Sequence, residues 1–152
     1  MRDRGVGMTI AEVARLLDEV RTATLATIGP DGRPHLAAMW FVAQGIDVLL
    51  WTYASSQKAR NLERDPRAGV LAETGTGDYS RLRGASLDCD VEIVRDPDRV
   101  LEVGRRLNDR YSDGTSIRAE TLARQAARRV ALVCRTERVR SWDHGKLAPP
   151  ST

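Results

Sequence analysis

Lys58 stands at the point in the chain that is best suited to hold an anion. It follows the sequence SSQ (55–57), directly after the apolar run DVLLWTY (47–53), and it is one of only two lysines among 24 basic residues. A helix that begins here would offer unpaired backbone N–H groups and a positive dipole, and the lysine would add a charge suited to phosphate. From these residues alone, a solvent-exposed helical lysine without a ligand remains the alternative interpretation.

Residues for protein-based catalysis are scarce in this chain. The two histidines, His35 and His144, have no His-x-x-x-His or Cys/His spacing, so we expect no metal site. No Gly-x-Ser-x-Gly motif follows a strand, and Cys89 and Cys134 are predicted to be buried, reduced thiols. A chain of this kind either binds a ligand without turnover or uses the chemistry of a cofactor.

The elements that must position Lys58 are predicted from the period of the apolar residues. Thr/Ala alternation in 22–28, the run PHLAAMWFVA (34–43) and the run 47–53 read as three strands joined by short turns, which make an antiparallel meander. Ser55 or Ser56 can then cap a short helix that ends near Asp65, because the residue before a proline disfavours helical dihedral angles.

Other elements flank this core on both sides. A leading amphipathic helix over 9–21 begins with Thr9 and Glu12 at capping-box spacing. Gly84 is a predicted bulge in a long strand, and Pro97 opens a helix. The predicted elements after Asp65 are strands over 68–74, 81–96 and 130–142, helices over 97–111 and 117–128, and an extended tail over 143–152.

These elements predict one domain over 1–152 with an α+β fold that is mainly β. Closure of the antiparallel strands removes exposed sheet edges, so we expect a six-stranded split β-barrel. The chain has 41% hydrophobic and 30% charged residues and no apolar run of membrane-spanning length. Without a recognisable secretory signal, a cytoplasmic location is the default expectation.

The net charge of +3 gives little support for nucleic-acid binding, because arginines alternate with acids along most of the chain. The least neutralised stretch is RAETLARQAARRVA (118–131), in which Arg124 and Arg128 lie one helical turn apart with Arg129 beside them. Nucleic-acid binding through these three arginines is retained as an alternative that predicts a salt-dependent affinity for duplex DNA.

Five stretches in their order along the chain resemble one family. The resemblance is to the split β-barrel flavoproteins of the pyridoxamine 5′-phosphate oxidase superfamily, and to the short branch that uses FMN or the deazaflavin coenzyme F-420. It covers about residues 22–147 and is carried by GRPHLAAMWFV (32–42), DVLLWT (47–52), SSQKARNLERDPRAGV (55–70), GASLDCDVEIVRDPD (84–98) and VRSWDHGKL (139–147).

The resemblance implies a homodimer with the cofactor between its subunits. The second strand would run along the ring and ribityl chain, the third strand would approach the phosphate end, and the following helix would hold the phosphate. A tryptophan near the C-terminus would reach the partner's cofactor. The positions that match are Ala38, Met39 and Trp40; Trp51 and Thr52; Ser56, Gln57, Lys58 and Asn61; and Trp142.

Departures from the family pattern argue against vitamin B6 oxidation. The true oxidases carry an arginine where this chain has Gln57, and the ending SWDHGKLAPPST lacks their Arg/His motif. Arg60 cannot replace the lost charge, because on a helix it points about 200° away from Lys58. The sequence therefore predicts an oxidoreductase that moves a hydride between FMN or F-420 and a small organic substrate, with a non-catalytic carrier or sensor of the cofactor as the alternative.

Overall fold

Residues 5–75, 77–115 and 117–147, which this computed structural model describes, fold into one antiparallel sheet with helices around it. The strands are β1 (Ala23–Ile28), β2 (Pro34–Met39), β3 (Val42–Gln44), β4 (Asp47–Tyr53), β5 (Arg67–Thr74), β6 (Arg83–Val94) and β7 (Arg129–Asp143). The helices are α1 (Ile10–Glu19), α2 (Gln57–Arg64), α3 (Pro97–Tyr111) and α4 (Ala119–Ala127), with 3₁₀ turns at Tyr79–Arg81 and His144–Leu147.

The sheet is curled so that its two edge strands meet. Its order is β2-β1-β5-β6-β7-β4-β3, yet only Trp40 and Phe41 separate β2 from β3 in the chain. In a flat sheet the two edges would lie about 29 Å apart, whereas the link from Met39 to Val42 can span at most about 11 Å. The split-barrel prediction is therefore confirmed, with seven strands in place of six because the predicted strand 34–43 is interrupted.

The interruption is caused by the end of α3. The hydroxyl of Tyr111 accepts a hydrogen bond from the Phe41 N–H at 3.0 Å and lies 2.9 Å from the Phe41 carbonyl. The guanidinium of Arg110 also donates to that carbonyl, and to the carbonyls of Leu17, Asp18 and Val20 at the end of α1. Because side chains satisfy the backbone groups of Phe41, no neighbouring strand is needed there.

Local sequence signals place the helices correctly. Thr9 and Glu12 form the predicted capping box at the start of α1, and Ser56 is the N-cap of α2, which ends before Asp65. Pro97 is the first residue of α3, behind the capping side chain of Asp96. These caps satisfy N–H groups that have no partner inside a helix.

Two apolar clusters lie on opposite faces of the sheet. The main core fills the barrel, where Val13, Leu16 and Leu17 of α1 are fully buried against the strands. Burial of this kind stabilises the fold by roughly 1.5–3 kcal/mol for each large side chain. A second cluster joins α3 and α4 to the outer face of β4 and β7. Cys89 and Cys134 are buried free thiols, as predicted.

Two predictions about the second half of the chain are wrong. The register of β6 with β7 shifts between Asp88 and Cys89, whereas Gly84 pairs regularly with Trp142. The tail is not simply extended, because β7 continues to Asp143 and His144–Leu147 forms a 3₁₀ turn; residues 148–152 lie outside the described part. Among the described residues, no helix is both long and apolar enough to cross a membrane.

Candidate functional site

The first cleft lies where the curled sheet brings the end of β2 to the end of β4. It has a volume of about 320 Å³ and nine lining residues. Six of them were predicted as cofactor contacts from the sequence, and three were not. The predicted residues are Ala38, Met39, Trp40, Trp51, Thr52 and Lys58, and the others are Tyr53, Leu107 and Arg129.

Lys58 lines this cleft and has no protein partner among the described residues. Within the described part of the chain, its ammonium group makes no hydrogen bond and no ion pair. The other lysine, Lys146, contrasts with it, because its Nζ lies 2.9 Å from Glu12 Oε2 and 2.8 Å from the Gly7 carbonyl. The ammonium of Lys58 is therefore available to an anion.

The start of α2 adds neutral donors beside that charge. The Oγ atom of Ser56 accepts a hydrogen bond from the Ala59 N–H at 3.2 Å and another from the Thr52 hydroxyl at 3.2 Å. The Ser56 hydroxyl therefore keeps its own proton for donation. The N–H groups of Gln57 and Lys58 belong to the first turn, where a helix provides no carbonyl partners.

Asn61 supports the site from inside the fold. Its side chain is fully buried, donates to the Thr27 hydroxyl at 3.0 Å and accepts from Gln57 Nε2 at 2.7 Å. These bonds tie α2 to β1. The cofactor contact predicted for Asn61 stays a prediction; in the structure its amide is bonded within the protein and does not line the cleft.

Arg129, at the start of β7, holds a second positive charge in the cleft. Its guanidinium lies between the rings of Trp51 and Tyr53, at 4.8 and 4.3 Å from their centroids. One of its N–H groups donates to the Gln125 carbonyl at 2.8 Å. Stacking and this hydrogen bond fix the position of the guanidinium.

Trp40, which lines the first cleft, stacks on a ring that lies outside it. The ring of Trp40 stacks on that of Tyr111, with centroids 4.4 Å apart and planes within 3°. Trp40 is nonetheless 61% exposed, so the ring keeps a free face. Arg21 covers Tyr111 at 4.5 Å from the ring centroid. This stack therefore has a fixed position while it leaves apolar area available to a ligand.

Two further clefts adjoin the first. The second cleft, of about 360 Å³, lies between α3, α4 and β4 and shares Trp40, Trp51, Leu107 and Arg129 with the first. The basic cleft, lined by Tyr53, Arg124, Arg128 and Arg129 among others, continues on the outside of α4. Among the described residues, no aspartate or glutamate lines any of the three clefts. The whole region therefore favours anionic ligands.

Trp142 lies far from the first cleft of its own chain. It pairs with Gly84 at one end of β7, whereas Ala131, the partner of Trp51, lies near the other end. Eleven residues of strand separate the two positions, a distance on the order of 35 Å. Trp142 therefore does not contribute to this cleft within one subunit, and its contact with a partner's cofactor stays a prediction.

The three unpredicted lining residues were missed for different reasons. Tyr53 alternates with Trp51 on β4, and this period of two was the available signal for it. Arg129 was grouped with Arg124 and Arg128 as a surface stripe, but it pairs with Tyr53 across β4 and β7. Leu107 enters from α3, and no local pattern predicts contacts between distant elements.

The arrangement suits a cofactor-binding site better than a site of protein-based catalysis. Within the part of the chain that the structure describes, no histidine, cysteine or carboxylate lines the first cleft. In the described ranges, no three His, Cys, Asp or Glu side chains are close enough together to hold a metal ion. A free ammonium, a helix start and an apolar wall fit a ligand with a phosphate end and a flat ring.

Comparisons with known proteins agree with this geometry. A family model described as pyridoxamine 5′-phosphate oxidase matches residues 9–143. No curated protein matches the chain significantly. The solved structure of the conserved hypothetical protein Rv2991 from Mycobacterium tuberculosis is 40% identical, with a TM-score of 0.89 over 100% of this chain and 95% of that one.

Two other solved structures extend the comparison. An F420 reductase is 30% identical, with a TM-score of 0.66 over 83% of this chain and 94% of that one. The heme storage protein HutZ from Vibrio cholerae is 18% identical, with a TM-score of 0.67 over 86% of this chain and 92% of that one. At that identity, the likeness to HutZ concerns the fold alone.

Proposed function

Because the chain belongs to the pyridoxamine 5′-phosphate oxidase family, we propose that it is an oxidoreductase that binds FMN or coenzyme F-420. It would transfer a hydride between that cofactor and a small organic substrate. The family binds flavins or deazaflavins. The observation that carries the proposal is the unpaired ammonium of Lys58 at the start of α2, inside a cleft of about 320 Å³.

The residues of the first cleft and of the start of α2, whose Ser56 and Gln57 do not themselves line the cleft, divide into two groups by what they would hold. Lys58, the Ser56 hydroxyl and the first N–H groups of α2 would bind the phosphate by charge-assisted hydrogen bonds. Ala38, Met39 and Trp40 on one side and Trp51 on the other would line the ring and its linker. When bound, the cofactor supplies the hydride chemistry, while these apolar side chains exclude water from it.

Two observations support F-420 as the cofactor over FMN. One is the 30% identity to an F420 reductase over 83% of the chain. The other is the basic cleft, which shares Tyr53 and Arg129 with the first cleft and has Arg124 and Arg128, but no carboxylate, among its described lining residues. The deazaflavin carries an anionic glutamate tail, which such a surface would bind, whereas FMN has no corresponding group.

A homodimer is part of the proposal, and the outer face of the barrel supports it. Leu36 and Leu71 are 64% and 38% exposed. The pairings of β2 with β1 and of β1 with β5 put these leucines on one face with Ala38. A partner that covered this face would border the first cleft at Ala38, where the family resemblance expects a shared cofactor.

A carrier or sensor of the same cofactor is the second candidate function. It is favoured by the lack of any histidine, cysteine or carboxylate among the residues that line the first cleft. The two candidates differ in turnover alone. Oxidation or reduction of a panel of small organic substrates, followed by cofactor absorbance, separates them, since a carrier would bind the cofactor without turning over any substrate.

Titration of the purified protein with FMN and, separately, with F-420 tests the site itself. Cofactor fluorescence gives the affinity, and we expect the tighter binding for F-420. Lys58→Ala should weaken binding by about 1–2 kcal/mol, which is roughly five- to thirty-fold, because a charge-assisted contact to the phosphate is lost. Lys58→Arg should retain most of the affinity.

Arg60→Ala is the matched control for this titration. Arg60 lies on the same helix and is exposed, but it does not line the first cleft. Its loss should leave the affinity unchanged. If Lys58→Ala binds the cofactor as tightly as the unsubstituted protein, the phosphate lies elsewhere and the assignment of the first cleft is wrong.

A further inference from the structure

We propose that the second cleft is the substrate site and that it selects a flat, apolar molecule with one negative charge, for which Arg129 is the counter-ion. The inference adds a class of substrate to the proposed function, and the role of the second cleft as a substrate site rests on that function. Binding in the second cleft can be measured without any cofactor. Three observations support the assignment: the flat apolar walls of the second cleft, its single charge and its continuity with the first cleft.

The walls of the second cleft are flat and apolar. The rings of Trp40, Trp51 and Tyr111 line it, together with Leu107 and Leu122. The ring of Trp51 is held in place by Gly104, to which it packs without an intervening side chain. A volume of about 360 Å³ lies within the range of small-molecule pockets. These surfaces fit a planar molecule of one or two rings.

Arg129 is the one charged side chain among the described residues that line this cleft. Of its N–H groups, one is used by the Gln125 carbonyl, and in the described part of the chain no carboxylate pairs with it. A guanidinium has five N–H donors in a fixed plane, which suits a carboxylate. Since stacking on Trp51 and Tyr53 already orders it, little entropy would be lost on binding.

Two amide side chains give the second cleft additional selectivity. Asn108 and Gln125 line it, and neither side-chain amide has a hydrogen-bond partner within the described residues. Each can donate and accept, so they can recognise a carbonyl or hydroxyl substituent on the ring. The preferred ligand is therefore an aromatic carboxylate with a second polar group.

Continuity with the first cleft explains why this ligand would be the substrate. Trp40, Trp51, Leu107 and Arg129 line both clefts, so occupants of the two would lie side by side. Lys58 lines the first cleft and not the second. The position of Lys58 thus assigns the two roles: the cofactor would bind in the first cleft at Lys58, and the smaller anion would bind to Arg129 in the second cleft.

Naphthoate, a flat aromatic carboxylate, and naphthamide, its uncharged amide, are the probes for a test. Quenching of tryptophan fluorescence gives the affinity of each, first without cofactor and then with saturating F-420 or FMN. We expect naphthoate to bind at least about tenfold more tightly, because a charge-assisted pair with Arg129 forms for the carboxylate alone. Saturation with cofactor should leave naphthoate binding in place.

Variants locate the probe. Arg129→Gln should remove the preference for naphthoate over naphthamide, and Arg129→Lys should restore part of it. Arg118→Gln is the matched control, since this exposed arginine at the start of α4 does not line the cleft. Ile117→Trp should block both probes by filling the mouth of the cleft. Ile117 is 41% exposed, so thermal unfolding should be unchanged.

The outcomes separate this inference from the proposed function. Equal binding of both probes, or a naphthoate preference that survives Arg129→Gln, would overturn the assignment. Displacement of naphthoate by cofactor would make the second cleft part of the cofactor site, which also overturns it. If instead neither FMN nor F-420 binds while naphthoate still needs Arg129, the proposed function fails and the anion site stands.

Discussion

The indole of Trp51 lies directly against the backbone of Gly104. A Cβ atom at position 104 would be 2.4 Å from Cζ3 and 2.7 Å from Cη2 of that ring, closer than non-bonded atoms approach. The glycine therefore lets α3 approach β4 closely enough for Trp51 to form a wall of both the first and the second cleft. One position on α3 thus controls the shape of both clefts.

Gly104→Ala should displace Trp51 and lower the stability of the fold. Overpacking of this kind costs about 1–3 kcal/mol, and the better helix propensity of alanine returns about 0.5–1 kcal/mol. We expect a net decrease of about 1–2 kcal/mol in the free energy of unfolding in urea, and weaker binding of cofactor. In a Trp51→Leu background the same change should be neutral or stabilising, and an equal loss there would contradict the argument.

Tyr111→Phe should distinguish the contribution of the Tyr111 hydroxyl to stability from the contribution of its ring, which stacks on Trp40. The ring stack would remain, but the N–H of Phe41, a fully buried residue, would lose its acceptor. An unsatisfied buried donor costs about 1–3 kcal/mol, and urea unfolding should show a loss of that size. Tyr79→Phe is the control, because Tyr79 is 74% exposed and should change stability by less than about 0.5 kcal/mol.

Leu36→Glu should disrupt the proposed homodimer. Leu36 is 64% exposed on the outer face of the barrel, so a monomer would tolerate the charge. Buried in a dimer, the carboxylate would be unpaired and costly. Sedimentation should show a dimer for the unsubstituted chain and for Ile10→Glu, an equally exposed position on α1, but a monomer for Leu36→Glu. A monomeric unsubstituted chain at tens of micromolar would contradict the dimer.

The sequence predicts those parts of the fold that local residues determine. Three predicted helix starts are observed. Two of them are caps that satisfy free N–H groups, made by Thr9 with Glu12 and by Ser56, and the third is Pro97, which has no N–H group to satisfy. The strand break at Phe41 was not predictable in this way. Its cause lies seventy residues away at Tyr111, which reaches Phe41 only after α3 has packed against the barrel.

The candidate site likewise has one part that local residues predict and another part that depends on distant residues. Lys58 and its capping serine form a local pattern, so the sequence could place them at a helix start. Arg129 looked like part of a surface stripe, because its role depends on pairing with Tyr53 across two distant strands. Gly84 was predicted as a bulge, since the sequence could not show that the ring of Trp142 occupies the space above it. In both cases the prediction failed because the residue contacts a side chain from another strand, which the local sequence does not reveal.

The two thiols provide a test of the barrel interior through pH. Burial raises the pKa of Cys89 to about 11 and that of Cys134 further still, from an ordinary value of 9.0. In the unfolded chain both thiols would ionise near pH 9, while in the folded state both stay protonated. Above pH 9 the unfolded state therefore binds fewer protons than the folded state, so stability must fall as the pH rises toward 11.

Urea unfolding between pH 8 and pH 10 measures this effect. Each buried thiol should lower the free energy of unfolding by about 1.4 kcal/mol per pH unit above pH 9, and Cys89→Ala should remove about half of the slope. The same burial predicts that a thiol reagent at pH 8 labels neither cysteine in the folded protein and both in urea. Rapid labelling of the folded protein would show that the barrel interior opens more readily than its packing implies.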